Sequence, residues 1–83
     1  MKQIYESPLH GWDESAERIY VFELEDVEEF WKLHEMSFEE KCKYFGVFDQ
    51  SGYFVAPGAK YYTYEFHLTR KHITVTETVA YNV

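Results

Sequence analysis

The sequence predicts an α+β fold: a four- to five-stranded antiparallel sheet with one helical block, residues 26–45, packed on one face. Three observations predict it. One long stretch, Asp26 to Gly46, carries helical periodicity; the runs on either side alternate aromatic or β-branched residues with polar ones; and 83 residues suffice for one domain, 1–83, around one core.

On a helical wheel Val27, Phe30, Trp31, His34, Phe38, Cys42 and Phe45 form a stripe of spacing three and four, the side expected to face the core. Asp26 followed by Glu29 reads as an N-cap with a carboxylate placed to return the bond, and Gly46 as the stop. Glu28 with Lys32 and Glu39 with Lys43 place an acid four residues before a base, the order a solvated helix face favours. Ser37 followed by Glu40 is a second capping signature, which would break the block near Met36. Leu33, Met36 and Tyr44 lie off the stripe. On an unbroken helix they form an apolar patch with a charged rim, the anatomy of an interface; a break at Ser37 turns them inward.

Before the helical block, Gln3–Glu6 is a short strand stopped by Ser7-Pro8, and His10-Gly11-Trp12 is a loop. Residues 13–17 fit a helical turn or a polar connection equally well. Arg18–Glu25 is a strand with Tyr20, Phe22 and Leu24 toward the core, and Ile19, Val21, Glu23 and Glu25 on a half-covered face. After it, Val47-Phe48 and Tyr53-Phe54-Val55 flank the turn residues 49–52 as a short hairpin, and Pro57-Gly58 fits the centre of a type II turn. The clearest hairpin joins Tyr61–Leu68 to Ile73–Ala80 across a tip at Arg70-Lys71. It pairs Leu68 with Ile73, Phe66 with Val75, Tyr64 with Glu77 and Tyr62 with Val79 on the inner face.

Aromatic residues make up 20% of the chain, which supplies large buried area at little side-chain entropy and argues for an ordered core. The first ten residues lack the apolar segment of a signal peptide, and the longest unbroken apolar run is four residues, so a cytoplasmic protein is expected. The single cysteine, Cys42, excludes an intrachain disulfide framework. Net charge is −7, and it is unevenly placed: residues 1–40 carry twelve acids and three bases, residues 41–83 three acids and five bases. Such a block repels phosphate, which argues against direct nucleic-acid or anionic-membrane binding and for a partner with a basic surface.

Catalytic and metal chemistry find little support. His34, Glu35 and Cys42 bring an imidazole, a carboxylate and a thiol, but His34 and Cys42 sit on one apolar stripe, where a thiol behaves as a small hydrophobe. His10, His34, Cys42, His67 and His72 lack short ligand spacing, and Gly11, Gly46, Gly52 and Gly58 are isolated, so no metal, nucleotide or other cofactor is expected. The expected partner-binding residues are Trp12, Asp13, Glu14, Glu17, Glu23, Glu25, Glu28 and Glu29, joined by Leu33, Met36 and Tyr44 if these are exposed. Acids at a helix start are also favoured by the dipole alone, an excuse that Asp13, Glu14 and Glu17 do not share.

The leading expectation is a non-enzymatic protein-interaction module that inhibits a target, such as a nuclease or CRISPR effector, by covering its nucleic-acid groove. Small acidic inhibitors of phages and mobile elements share this composition, a likeness of class and not of sequence. Two other readings stand beside it. One is a small-ligand or catalytic pocket around Tyr62, Tyr64 and Glu77; the inward carboxylate is expected first to be satisfied by a tyrosine hydroxyl or a backbone amide or to lie in water at the sheet edge, and otherwise to mark a functional site. The other is an accessory subunit or homodimer formed through an uncovered edge of the C-terminal strand, Ile73–Tyr81.

Overall fold

The computed structural model describes residues 1–11 and 14–82. Four strands, β1 (Lys2–Glu6), β2 (Ser15–Glu23), β3 (Lys60–Leu68) and β4 (His72–Tyr81), form one antiparallel sheet in the order β1-β2-β4-β3. Two helices, α1 (Val27–Glu35) and α2 (Phe38–Phe45), lie between β2 and β3 in the chain and cover part of one face. The α+β class and the antiparallel sheet agree with the sequence reading; the helical block is two helices. Among the described residues no helix is long and apolar enough to cross a membrane.

The break at Met36-Ser37 has a local cause. Ser37 Oγ accepts from the Glu40 amide at 3.2 Å while the Glu40 carboxylate accepts from the Ser37 amide at 3.1 Å, a reciprocal capping box that starts a new helix. Met36 is extended, its amide bonding back to Leu33. At the first helix start, Asp26 Oδ1 accepts from the Glu29 amide at 2.9 Å, as the spacing predicts. Glu29 does not return the bond to Asp26: it accepts from the Glu25 amide at 2.9 Å and from the Met1 ammonium at 3.2 Å. Gly46 ends α2 with φ +70°, the left-handed cap.

The break resets the helical phase, and this corrects the expected core stripe. Phe30, Cys42 and Phe45 do turn inward, but Val27 (58% exposed), Trp31 (47%), His34 and Phe38 remain on the surface. In their place Leu33 is fully buried, with Met36 half-buried beside it. The core is Leu24, Phe30, Leu33 and Ile73, with Phe22, Phe45, Phe66 and Leu68 packed around it. Trp31 instead serves as a surface platform: the Arg70 guanidinium from the β3–β4 turn lies 4.9 Å from the Phe30 ring centre and 5.5 Å from that of Trp31.

All four cross-strand pairs expected for β3 and β4 occur. The rest of the topology corrects two expectations. β4 pairs with β2 on one side and β3 on the other, so the C-terminal strand has no uncovered edge through which two copies could associate. The 47–55 stretch forms no hairpin. Residues 47–50 instead run beside β3, where Asp49 Oδ2 accepts from the Tyr64 amide at 2.7 Å, and Gln50 exchanges two 2.8 Å bonds with the backbone of Tyr62. Side chains thus satisfy edge groups that a fifth strand would have paired. The undecided 13–17 stretch is strand from Ser15 onward, and β2 ends at Glu23.

Candidate functional site

Residues paired across antiparallel strands share a face, so the register sorts every strand side chain. On the helix side the rows are Gln3–Phe22–Ile73–Leu68, then Glu6–Tyr20–Val75–Phe66, Arg18–Glu77–Tyr64 and Ala16–Val79–Tyr62. The helices cover the first row and part of the second. At their border opens a cleft of about 180 Å³, lined by Gln3, Tyr20, Phe22, Phe45, Val47, Tyr64, Val75 and Glu77.

Chemistry gathers in the third row. The Tyr64 hydroxyl donates to Glu77 Oε2 at 2.8 Å, and both side chains are half-buried. Burial first, and then this hydrogen bond and the nearby charge of Glu77, push the Tyr64 phenol well above the usual tyrosine range, so it stays a donor at every physiological pH. Arg18 stands beside Glu77 in register, yet no carboxylate among the described residues lies within 4.0 Å of its guanidinium, and its buried Nε has no hydrogen-bond partner. The expected ligand set Tyr62, Tyr64 and Glu77 thus lies on one face, with Tyr62 toward its exposed end.

Among the described residues no helix covers the opposite face. Its rows are Lys2–Glu23–His72, Tyr5–Val21–Thr74–His67, Ile19–Thr76–Glu65, Glu17–Thr78–Thr63 and Ser15–Ala80–Tyr61. Ile19, Val21 and the threonines occupy the middle, with Glu17, Glu23 and Glu65 exposed around them. That is a weakly apolar centre within an acidic rim.

The expected partner-binding residues scatter over several places. Trp12 and Asp13 lie outside the described residues. Glu14 and Glu17 are exposed at one end of β2, while Glu23, Glu25 and Glu28 are exposed at the other, about 20 Å away at the rise of an extended strand. Glu29 is half-buried in its two bonds near the chain start. Leu33 is withdrawn into the core and the half-buried Met36 packs against that core, so of the three off-stripe residues Tyr44 is the exposed one, with the Lys32 ammonium 4.9 Å from its ring centre. The proposed apolar patch of Leu33, Met36 and Tyr44 does not exist.

Cys42 is buried, and burial chiefly pushes its thiol up, the opposite of an activated nucleophile. Among the described residues no three His, Cys, Asp or Glu side chains converge as metal ligands. The sequence reading missed Gln3, Tyr20, Phe45 and Val47 as cleft walls, because their meeting depends on strand order and the helix break. It also assigned Phe48, Tyr53 and Phe54 to strands. They are exposed, Phe54 at 91%, and the rings of Phe48 and Tyr53 meet edge-on at 5.2 Å. The signal was in the sequence: Tyr53 and Phe54 are bracketed by Gly52 and Pro57 with no alternation. No family model, curated protein or solved structure matches the chain.

Proposed function

We propose that the chain is a non-enzymatic binding module that engages a basic surface of another protein through the open face of its sheet and the acids at the two ends of β2. One observation carries the reading: Glu14, Glu17, Glu23, Glu25 and Glu28 are all exposed, and none has a cation within 4.0 Å among the described residues. Unpaired surface acids are strongly hydrated, and they contribute long-range attraction toward positive charge. The open face adds a centre of Ile19, Val21 and Thr76 that excludes water on contact. A nucleic-acid-binding groove is a basic surface of the required kind, and covering it would inhibit the enzyme that owns it, as small phage-borne acidic inhibitors do.

The test is capture of a partner by the tagged full chain, followed by measurement of affinity against salt. The variant carrying Asp13→Ala, Glu14→Ala and Glu17→Ala is expected to bind at least about tenfold more weakly, and wild-type affinity to fall steeply between low and physiological ionic strength. Full affinity in the triple variant, or affinity indifferent to salt, overturns the reading.

A further inference from the structure

The geometry points to the cleft between β2, β4 and α2 as a binding site for an alkylammonium group, with Glu77 as its counter-charge. Four aromatic rings, those of Tyr20, Phe22, Phe45 and Tyr64, line it together with Val47 and Val75. Ring faces carry partial negative charge, and a carboxylate among them makes a place that attracts a cation and accepts an alkyl stem. Anions are repelled by the same groups.

The state of Glu77 supports this. Its Oε2 accepts from Tyr64, which fixes the carboxylate's orientation, while Oε1 carries no hydrogen bond among the described residues. Three of the chain's eight Lys and Arg side chains cover rings outside the cleft. Arg70 covers Phe30 and Trp31, Lys32 covers Tyr44, and the Lys60 ammonium lies 5.6 Å from the Tyr81 ring centre. Among the described residues none of the four cleft rings has a cation over it. Arg18, the nearest candidate in register, does not come within ion-pair distance of Glu77. The cleft of about 180 Å³ accommodates one alkyl chain, and it adjoins a more open depression that shares Val47, Tyr64 and Glu77.

The amine has two possible sources, a lysine side chain of a protein partner or a free small amine. Both present the same chemistry. The experiment titrates the full chain with n-butylammonium, 1-butanol and butyrate while backbone amide resonances are followed. Butylammonium is expected to give saturable shifts at Gln3, Tyr20, Tyr64 and Glu77 with a dissociation constant on the order of millimolar, butanol at least about fivefold weaker binding, and butyrate none. Glu77→Gln keeps an acceptor for Tyr64 but loses the charge, and should weaken butylammonium by about tenfold.

Equal binding of butanol and butylammonium, or shifts that leave these residues untouched, overturns the proposal. So does unchanged affinity in a folded Glu77→Gln chain; should that variant fail to fold, the comparison of ligands on the wild-type chain decides alone. A Gly-Lys-Gly peptide that matches butylammonium assigns the source to a partner lysine, and exclusion of that peptide while butylammonium still binds assigns it to a free amine. Loss of the salt-dependent partner with amine binding intact would sink the acidic-face reading and leave this site standing.

Discussion

The helix-side face of the sheet has two halves built from the same three strands. In the half nearest the β3–β4 turn, Phe22, Ile73 and Leu68 meet Phe30 and Leu33, and Ile73 and Leu33 have no exposed surface at all. Two rows away Arg18, Glu77 and Tyr64 occupy equivalent strand positions, half-buried and polar. The strand period is identical in both; what differs is cover. Because the capping box at Ser37 breaks the helical block, the two short helices converge over one half, and water reaches the other. Burial demanded apolar residues in the first half, and its absence permitted a charged row in the second.

Substitutions can test this contrast. The largest effect is expected from Leu33→Ala, which opens a void in the dry half and should cost about 3 kcal/mol, seen as a lower denaturation midpoint at unchanged slope. For a chain of this size that is a large share of its total stability, roughly 5 kcal/mol. In the polar half Tyr64→Phe removes only a hydroxyl, but it leaves the Glu77 carboxylate without its donor; a loss of about 1–2 kcal/mol is expected in the same assay.

The same tyrosine gives a prediction in pH. Its folded-state pKa is raised above the ordinary value near 10, so its contribution to stability is complete below about pH 10 and is lost as pH rises further, because the unfolded chain ionises first. Absorbance titration should show one phenol of the eight ionising late, and Tyr64→Phe should remove that component. Ser37→Ala attacks the boundary between the halves. Losing the cap should cost about 1 kcal/mol and reduce helical circular dichroism; no change would mean that packing alone sets the break. Smallest of all should be Glu65→Ala on the open face, within about 0.5 kcal/mol in thermal melting.

Much of this architecture was legible in the residues. Alternation along 61–68 and 73–80 fixed the hairpin register to the residue, because a slip by one would have put Phe66 and Leu68 on the opposite face from Ile73 and Val75. Capping chemistry announced both helix starts. The strand order was not legible: nothing local tells β4 to lie between β2 and β3, and the mistaken C-terminal edge followed from that. The inward face of α1 was misread because a wheel drawn through Ser37 carries its phase across a break. The cleft was half visible, since Tyr64 and Glu77 could be paired from the hairpin, while Tyr20 and Phe45 arrive through long-range packing.

The side-chain closure of the β3 edge has a consequence for how this protein fares in acid. Burial pushes the Asp49 carboxyl up, but hydrogen bonds from Ser51 and from the Tyr64 amide outweigh it and hold the group below the ordinary carboxylate value. A depressed folded pKa contributes stability above the unfolded value near 4, and that contribution fades as pH falls through the folded one. Protonated, Asp49 becomes a poorer acceptor for the Tyr64 amide, and the outermost strand regains a free ladder group. Exposed strand edges template the addition of further strands. Asp49→Asn keeps an acceptor for the Tyr64 amide but removes the titration, so the loss of stability on going from neutral to acid pH should be smaller in that variant than in the wild-type chain, read from denaturation midpoints.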